Sequence, residues 1–114
     1  MELLTPNQRA QLLANGAARA DRGDHDPVPV VKLFTPDAGA TWLLTELDPA
    51  NDDIAFGLCD LGLGSPELGN VSLSELIRAR GKLGLPVERD IHFRGDKPLS
   101  KYAAEARRAG IIVA

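Results

Sequence analysis

The chain has 114 residues, of which 44% are hydrophobic and 25% are charged, and its formal net charge is −3. This length suits one hydrophobic core and is too short for two, so the sequence predicts a single domain over residues 1–114. The small net charge argues against a dedicated nucleic-acid binder. No apolar run approaches membrane-spanning length, and the single cysteine excludes an internal disulfide, so we expect a cytoplasmic protein without a membrane partner.

The first predicted element is a helix that ends near Ala20. Thr5 is typical of an N-cap and Pro6 of a first helical position, and alanine and leucine then recur at helical spacing. Residues 21–29 are predicted to form a polar connection.

Three strands are expected next, because three segments rich in Val, Leu, Phe, Trp and Thr are bounded by turn-forming residues. They are Val28–Thr35, Ala40–Leu47 and Ile54–Leu61. Short connections favour an antiparallel meander. Cys59 is interpreted as a small buried residue rather than a reactive thiol, because no neighbouring cation would lower its pKa.

The segment 61–70 is rich in glycine and is predicted to be irregular. A short helix follows, since Ser72 can cap the amide of Glu75 and Glu75 can reach back, and Gly81 is the expected end of that helix. Residues Leu85–Arg94 alternate between apolar and polar side chains, which is typical of a fourth strand.

A final helix is predicted over Ser100–Ala109, with Lys101 and Glu105 paired on its surface and Gly110 at its end. The predicted fold class is therefore α+β, with a mainly antiparallel sheet of about four strands and about three helices on one face. Several strands are apolar on both faces and the tail 111–113 is apolar. A second covering layer, or a homodimer, is implied.

Charge is segregated along the chain. Residues 1–70 hold 4 basic and 11 acidic side chains, a balance of −7, whereas residues 71–114 hold 9 and 5, a balance of +4. Segregated charge can become a surface that selects partners. We take four carboxylates as a candidate acidic partner surface: Asp52, Asp53, Asp60 and Glu67. The alternative interpretation is that the aspartates only suit the turns between strands.

The predicted fourth strand offers a candidate polar face. Alternation would place Glu88, Asp90, His92 and Arg94 on one side of it. A histidine between carboxylates is more basic, and an arginine nearby could hold an anion, so a small hydrolase or metal-dependent enzyme is an alternative function. A solvated strand face is the competing interpretation, because no serine or cysteine nucleophile can be assigned.

Other sites are less well supported. The glycines of 57–69 lack a lysine and stand beside acidic residues, which argues against a phosphate loop. The aspartates of 48–53 do not have the spacing of a calcium loop, so neither a metal nor another cofactor is expected. Weak nucleic-acid binding would use a basic set, although aromatic residues are only 4% of the chain. That set is Arg78, Arg80, Lys82, Arg107 and Arg108.

Several segments together resemble a bacterial family catalogued as domain of unknown function 2958. The resemblance runs along the whole chain, and its segments are VVKLF at 30–34, ATWLLTE at 40–46, FGLCDLG at 56–62, PELG at 66–69, VSLSEL at 71–76 and ERDIHF at 88–93. It implies a small protein often encoded on plasmids and other mobile elements, and it brings no established activity. The expected function is a non-enzymatic accessory or protein-binding module of such elements.

Overall fold

The computed structural model describes residues 2–23 and 25–114; Met1, and Asp24 of the predicted polar connection, lie outside the described residues. Within these described residues, three helices and five strands follow one another in a mixed order. They are α1 (Pro6–Arg22), β1 (Val31–Phe34), β2 (Thr41–Asp48), β3 (Asn51–Asp60), β4 (Glu67–Ser72), α2 (Leu73–Arg78), β5 (Glu88–Arg89) and α3 (Leu99–Ala109). The predicted α+β class is confirmed.

The strands form one antiparallel sheet in the order β4-β3-β2-β1-β5. The predicted meander is confirmed by β1, β2 and β3, although β3 begins at Asn51, so two residues, Pro49 and Ala50, make the whole turn before it. Two predictions were wrong. The segment assigned as irregular contains β4, and the fourth strand expected over Leu85–Arg94 contributes only Glu88 and Arg89.

Helix ends follow the predicted capping residues. Thr5 caps α1 in a reciprocal pair with Gln8, and Ser72 accepts a hydrogen bond from the amide of Glu75 at the start of α2. Gly110 ends α3 in the left-handed conformation, as expected for a C-cap glycine. Helix α2 ends earlier than predicted, at Arg78 rather than at Gly81.

Helices cover both faces of the sheet, so the prediction that they share one face was wrong. On the face that we call the back, α1, α2 and the N-terminal Leu3 and Leu4 pack on Leu33, Trp42 and Leu44. On the front face, α3 packs on Leu43 and Leu58. The second covering layer implied by the two-sided apolar strands is therefore α3 of the same chain.

Helix α1 lies beside β2 where β1 has ended. The β1 ladder stops at Val31 and Leu44, which leaves the backbone edge of residues 45–48 without a strand partner on that side among the described residues. Asn15, a buried residue of α1, donates from its side-chain amide to the Thr45 carbonyl at 2.8 Å. The helix thus satisfies part of the edge that β1 leaves open.

The C-terminal tail is tied to the front face by Asp60. This buried carboxylate accepts hydrogen bonds from the amides of Gly62 at 2.8 Å and Ile112 at 3.0 Å. Ile112 packs against the front core, as the apolar tail predicted. The predicted pair of Lys101 with Glu105 is not the one observed, because Lys97 reaches Glu105 at 3.0 Å from the segment before α3.

Candidate functional site

A β-bulge at Thr45 turns one acidic side chain to the front of the sheet. The β2–β3 register pairs Leu44 with Gly57 and then Glu46 with Phe56, so Thr45 is an extra residue without a cross-strand partner. Without it, alternation would place Glu46 on the back face beside Leu44. Bulges re-aim side chains in this way and are frequent next to functional sites.

The redirected Glu46 forms an ion pair with Arg19 of α1. Arg19 Nε donates hydrogen bonds to both carboxylate oxygens, at 2.7 and 2.9 Å. Arg19 Nη2 donates a further hydrogen bond to the backbone carbonyl oxygen of His25 at 2.7 Å. The guanidinium carbon also lies 5.3 Å from the centre of the Phe56 ring. The Glu46 side chain is only 7% exposed, whereas the Arg19 side chain is 40% exposed, so the cation forms the outer part of the pair.

This pair lines a cavity of about 290 Å³ between α1 and the front of the sheet. We call it the Arg19–Glu46 pocket. Its walls come from all four elements around it: Gly16, Arg19 and Ala20 of α1, Glu46 and Asp48 of β2 with the adjoining Pro49, Ile54 and Phe56 of β3, and Asn70 of β4. A pocket with apolar walls and a few converging polar groups is the usual form of a binding site.

The pocket extends as far as the edge strand of the sheet, because Asn70 of β4 is one of its walls. Asn70 pairs with Phe56 across β3 and β4, which places both side chains on the front face. Strand β4 ends the sheet, and no described segment pairs with its outer side. Leu68 of β4 is 41% exposed, and Leu61 and Leu63, in the loop before β4, are more exposed still.

The four residues of the predicted acidic surface are divided between the two ends of β3. Asp52 and Asp53 lie at its start and Asp60 at its end, with Glu67 paired to Cys59 near that end. Asp53 and Asp60 are seven residues apart along this strand, a distance of roughly 23 Å at the usual strand rise. The structure therefore does not bring the four carboxylates together.

Three of these carboxylates already have partners within the chain. Asp52 is paired with Arg9 at 3.2 Å, and Asp60 holds the tail. Asp53 accepts hydrogen bonds from the Ser72 hydroxyl at 2.7 Å and from the Ser74 amide at 2.9 Å, and these bonds lower its pKa below 3.8. Glu67 is exposed on the edge strand.

The predicted polar face of the fourth strand does not form, because the chain turns at Asp90. The Asp90 carboxylate accepts a hydrogen bond from the amide of His92 at 2.9 Å, which closes a turn instead of extending the strand. That bond, followed by the charge of Lys32, lowers the pKa of Asp90. Glu88, His92 and Arg94 are exposed, and a turn does not hold them on one face.

The basic set expected for nucleic-acid binding is divided between the two faces. Arg78 ends α2, which packs on the back of the sheet, whereas Arg107 and Arg108 end α3 on the front. Among residues 2–23 and 25–114, no three His, Cys, Asp or Glu side chains are grouped closely enough to hold a metal ion. In the same part of the chain, no helix is long and apolar enough to cross a membrane.

The Arg19–Glu46 pocket was not predicted from the sequence, although one signal was present. Glu46 is the one charged residue of the otherwise mainly apolar segment 41–47, and a carboxylate at such a position needs a cation or hydrogen-bond donors. The partner is 27 residues away and could not be named from the sequence. The Asn70 wall was missed because the segment holding it was not assigned to a strand.

Comparison with known proteins agrees with the family resemblance. The family model described as "Protein of unknown function (DUF2958)" matches residues 3–113, which is nearly the whole chain. No curated protein and no solved structure matches this chain. The protein therefore belongs to the DUF2958 family of proteins of unknown function.

Proposed function

We propose that this protein is a non-enzymatic binding module that takes an extended segment of a partner protein along the free edge of β4. The observation that carries the proposal is the position of β4 at the end of the sheet, with no described segment on its outer side. Alternate residues of such a strand direct their backbone N–H and C=O groups outward. An added strand satisfies these groups, which is a common mode of peptide recognition.

The edge has few of the features that usually prevent strand addition. Natural edge strands are protected by lysine, by proline or by inward-pointing charges. Strand β4 carries one charged residue, Glu67, and its proline, Pro66, stands before the first paired residue. The exposed Leu68 adds apolar surface that a partner strand would cover.

Charge supports a basic partner. Strands β2, β3 and β4 contain no lysine or arginine, and Glu67 and Glu75 are exposed beside the edge. Complementary charge steers association and suppresses the wrong partners. The segregated charge of the sequence would thus act at this edge through Glu67, rather than through one patch of four carboxylates.

The biological setting in our proposal is that of an accessory protein of plasmids and other mobile genetic elements, acting in the cytoplasm. The family resemblance supports the association with mobile elements. Sequencing the regions around genes of this family would test it, and an excess of chromosomal housekeeping neighbours would contradict it.

Selection of short random peptides displayed on phage, with the wild-type protein as bait, tests the binding function. We expect enriched peptides to be strand-forming and basic, and to lose binding to Leu68→Lys, because an edge lysine opposes strand addition. Ala109→Lys is the matched control, since it adds the same charge at the exposed end of α3. Thermal unfolding of both variants would show that each is folded.

Two results would contradict the proposal. One is a set of enriched peptides that bind both lysine variants as well as the wild type. The other is the enrichment of no peptide, together with turnover of a small substrate by the purified protein.

A further inference from the structure

We infer that the Arg19–Glu46 pocket receives an arginine or lysine side chain from the segment bound at β4. This inference rests on the proposed function and names the specificity of that edge. The pocket and the edge share Asn70, which is both a wall of the cavity and a residue of the edge strand.

The register of the sheet connects the pocket with the edge of β4. Asn70 pairs with Phe56 on the front face, and the residue opposite Asn70 on an added strand would point to the same face. It would lie about 4.8 Å from Asn70, the usual spacing between strands. Because Asn70 is one wall of the cavity, a long side chain from that residue would extend past Asn70 towards Glu46, beside the Arg19 guanidinium that lies over the Phe56 ring.

Charge in the pocket favours a cation. The cavity is lined by one cation and two carboxylates, and Arg19 is already committed to Glu46 through two contacts. Within the part of the chain that the structure describes, no lysine or arginine forms an ion pair with Asp48. Asp48 thus lines the pocket without a paired cation.

Hydrogen bonding and packing favour the same ligand. A carboxylate has about four acceptor positions, and Glu46 uses only those that face Arg19 Nε. Ile54, Phe56 and Pro49 supply apolar walls against which the methylene groups of a long basic side chain would pack. An acidic side chain would instead face two carboxylates.

A synthetic copy of one peptide selected on the wild-type protein tests the inference. Its basic residues are replaced one at a time by glutamine and by glutamate, and each peptide is titrated by isothermal calorimetry. We expect one position at which glutamine weakens binding at least about tenfold, because a charge-assisted hydrogen bond is lost there. Glutamate at that position should weaken binding further.

Two protein variants assign that position to the pocket. Asp48→Asn removes a charge while keeping the oxygen that accepts from the Ala50 amide, and Glu46→Gln removes the buried charge. In binding to either variant, replacement of the peptide's arginine or lysine by glutamine should weaken the affinity by a smaller factor than it does in binding to the wild type. Asp52→Asn is the matched control, because its carboxylate lies near the same end of the sheet but does not line the pocket.

The outcomes separate this inference from the function on which it rests. Peptides that no longer bind the Leu68→Lys variant but tolerate glutamine at every basic position would overturn the inference. The proposed strand addition at β4 would still stand. Tighter binding with glutamate would overturn it as well. Peptides that are indifferent to Leu68→Lys would overturn the proposed function itself.

Discussion

Replacing Gly16 by alanine tests the position of α1 against the open edge of β2. Alanine in place of glycine within a helix normally stabilises by about 1 kcal/mol. Here the added methyl group would overlap the Leu47 carbonyl oxygen, and it would also lie 3.3 Å from Pro49 Cδ. We therefore predict the opposite sign for Gly16→Ala.

The size of the effect follows from the movement that the methyl group requires. Relief of the overlap needs a shift of α1 of about 1 Å, and a shift along the Asn15–Thr45 direction would stretch their 2.8 Å hydrogen bond beyond useful range. Overpacking costs about 1–3 kcal/mol, and a buried acceptor left unsatisfied costs about 1–3 kcal/mol. After the gain in helix propensity, the net loss is about 3 kcal/mol.

Thermal unfolding followed by circular dichroism measures this loss. A chain of this size should show a Tm lowered by about 10 °C for Gly16→Ala. The control is Ala17→Gly, an exposed position of the same helix, which should lose about 1 kcal/mol through helix propensity alone. A Tm that rises or stays unchanged in Gly16→Ala would refute the close packing of α1 on β2.

Three further predictions concern titratable groups. The folded-state pKa of Asp53 lies below 3.8, so its bonds to Ser72 and Ser74 stabilise the protein above about pH 4, and that contribution is lost as the pH falls through the lowered pKa. Asp53→Asn should lower Tm at pH 7 and lessen the decrease of Tm in acid. An unchanged pH dependence of Tm would count against a stabilising role of these two hydrogen bonds. Burial raises the pKa of Cys59, so at pH 8 its thiol should react with Ellman's reagent more slowly in the folded than in the unfolded protein; equal rates would show an accessible thiol. His92→Ala should change the free energy of unfolding by less than about 0.5 kcal/mol, because His92 is exposed in a turn. A larger loss in denaturant titration would mean that His92 is structural.

Local sequence signals predicted much of the fold because their causes are local. Thr5 and Pro6 define the start of α1, and Gly110 defines the end of α3, through hydrogen bonds and backbone angles within a few residues. The first three strands were found from β-forming residues between turns. Strand β4 was missed because Gly69, Asn70 and Glu67 have low β-propensity, and pairing with β3 overrides it.

Side-chain chemistry explains why the fourth strand was overestimated. The alternation through Leu85–Arg94 satisfied the strand pattern, but the Asp90 carboxylate caps the amide of His92 and starts a turn. Periodicity also gives no information about which face of a sheet a helix covers. The placement of α3 on the front face is therefore a result of tertiary packing, in which Tyr102 and Ala106 lie in the front core.

The candidate site depended on a feature that alternation does not reveal. One extra residue at Thr45 reverses the face of Glu46, and the reversal brings it to Arg19 and Phe56. A strict period of two would have placed Glu46 among the back core residues, where a charge is costly. That conflict between pattern and chemistry was the available clue.

Amide hydrogen exchange of β4 in the presence of a peptide selected on the wild-type protein tests the central claim most directly. In the free protein, outward amides of Glu67–Ser72 should exchange quickly, because no described segment bonds to them. Addition of the peptide should slow exchange at alternate residues of β4, while the exposed end of α3 stays unchanged. Unchanged exchange throughout β4 at saturating peptide would contradict strand addition at this edge.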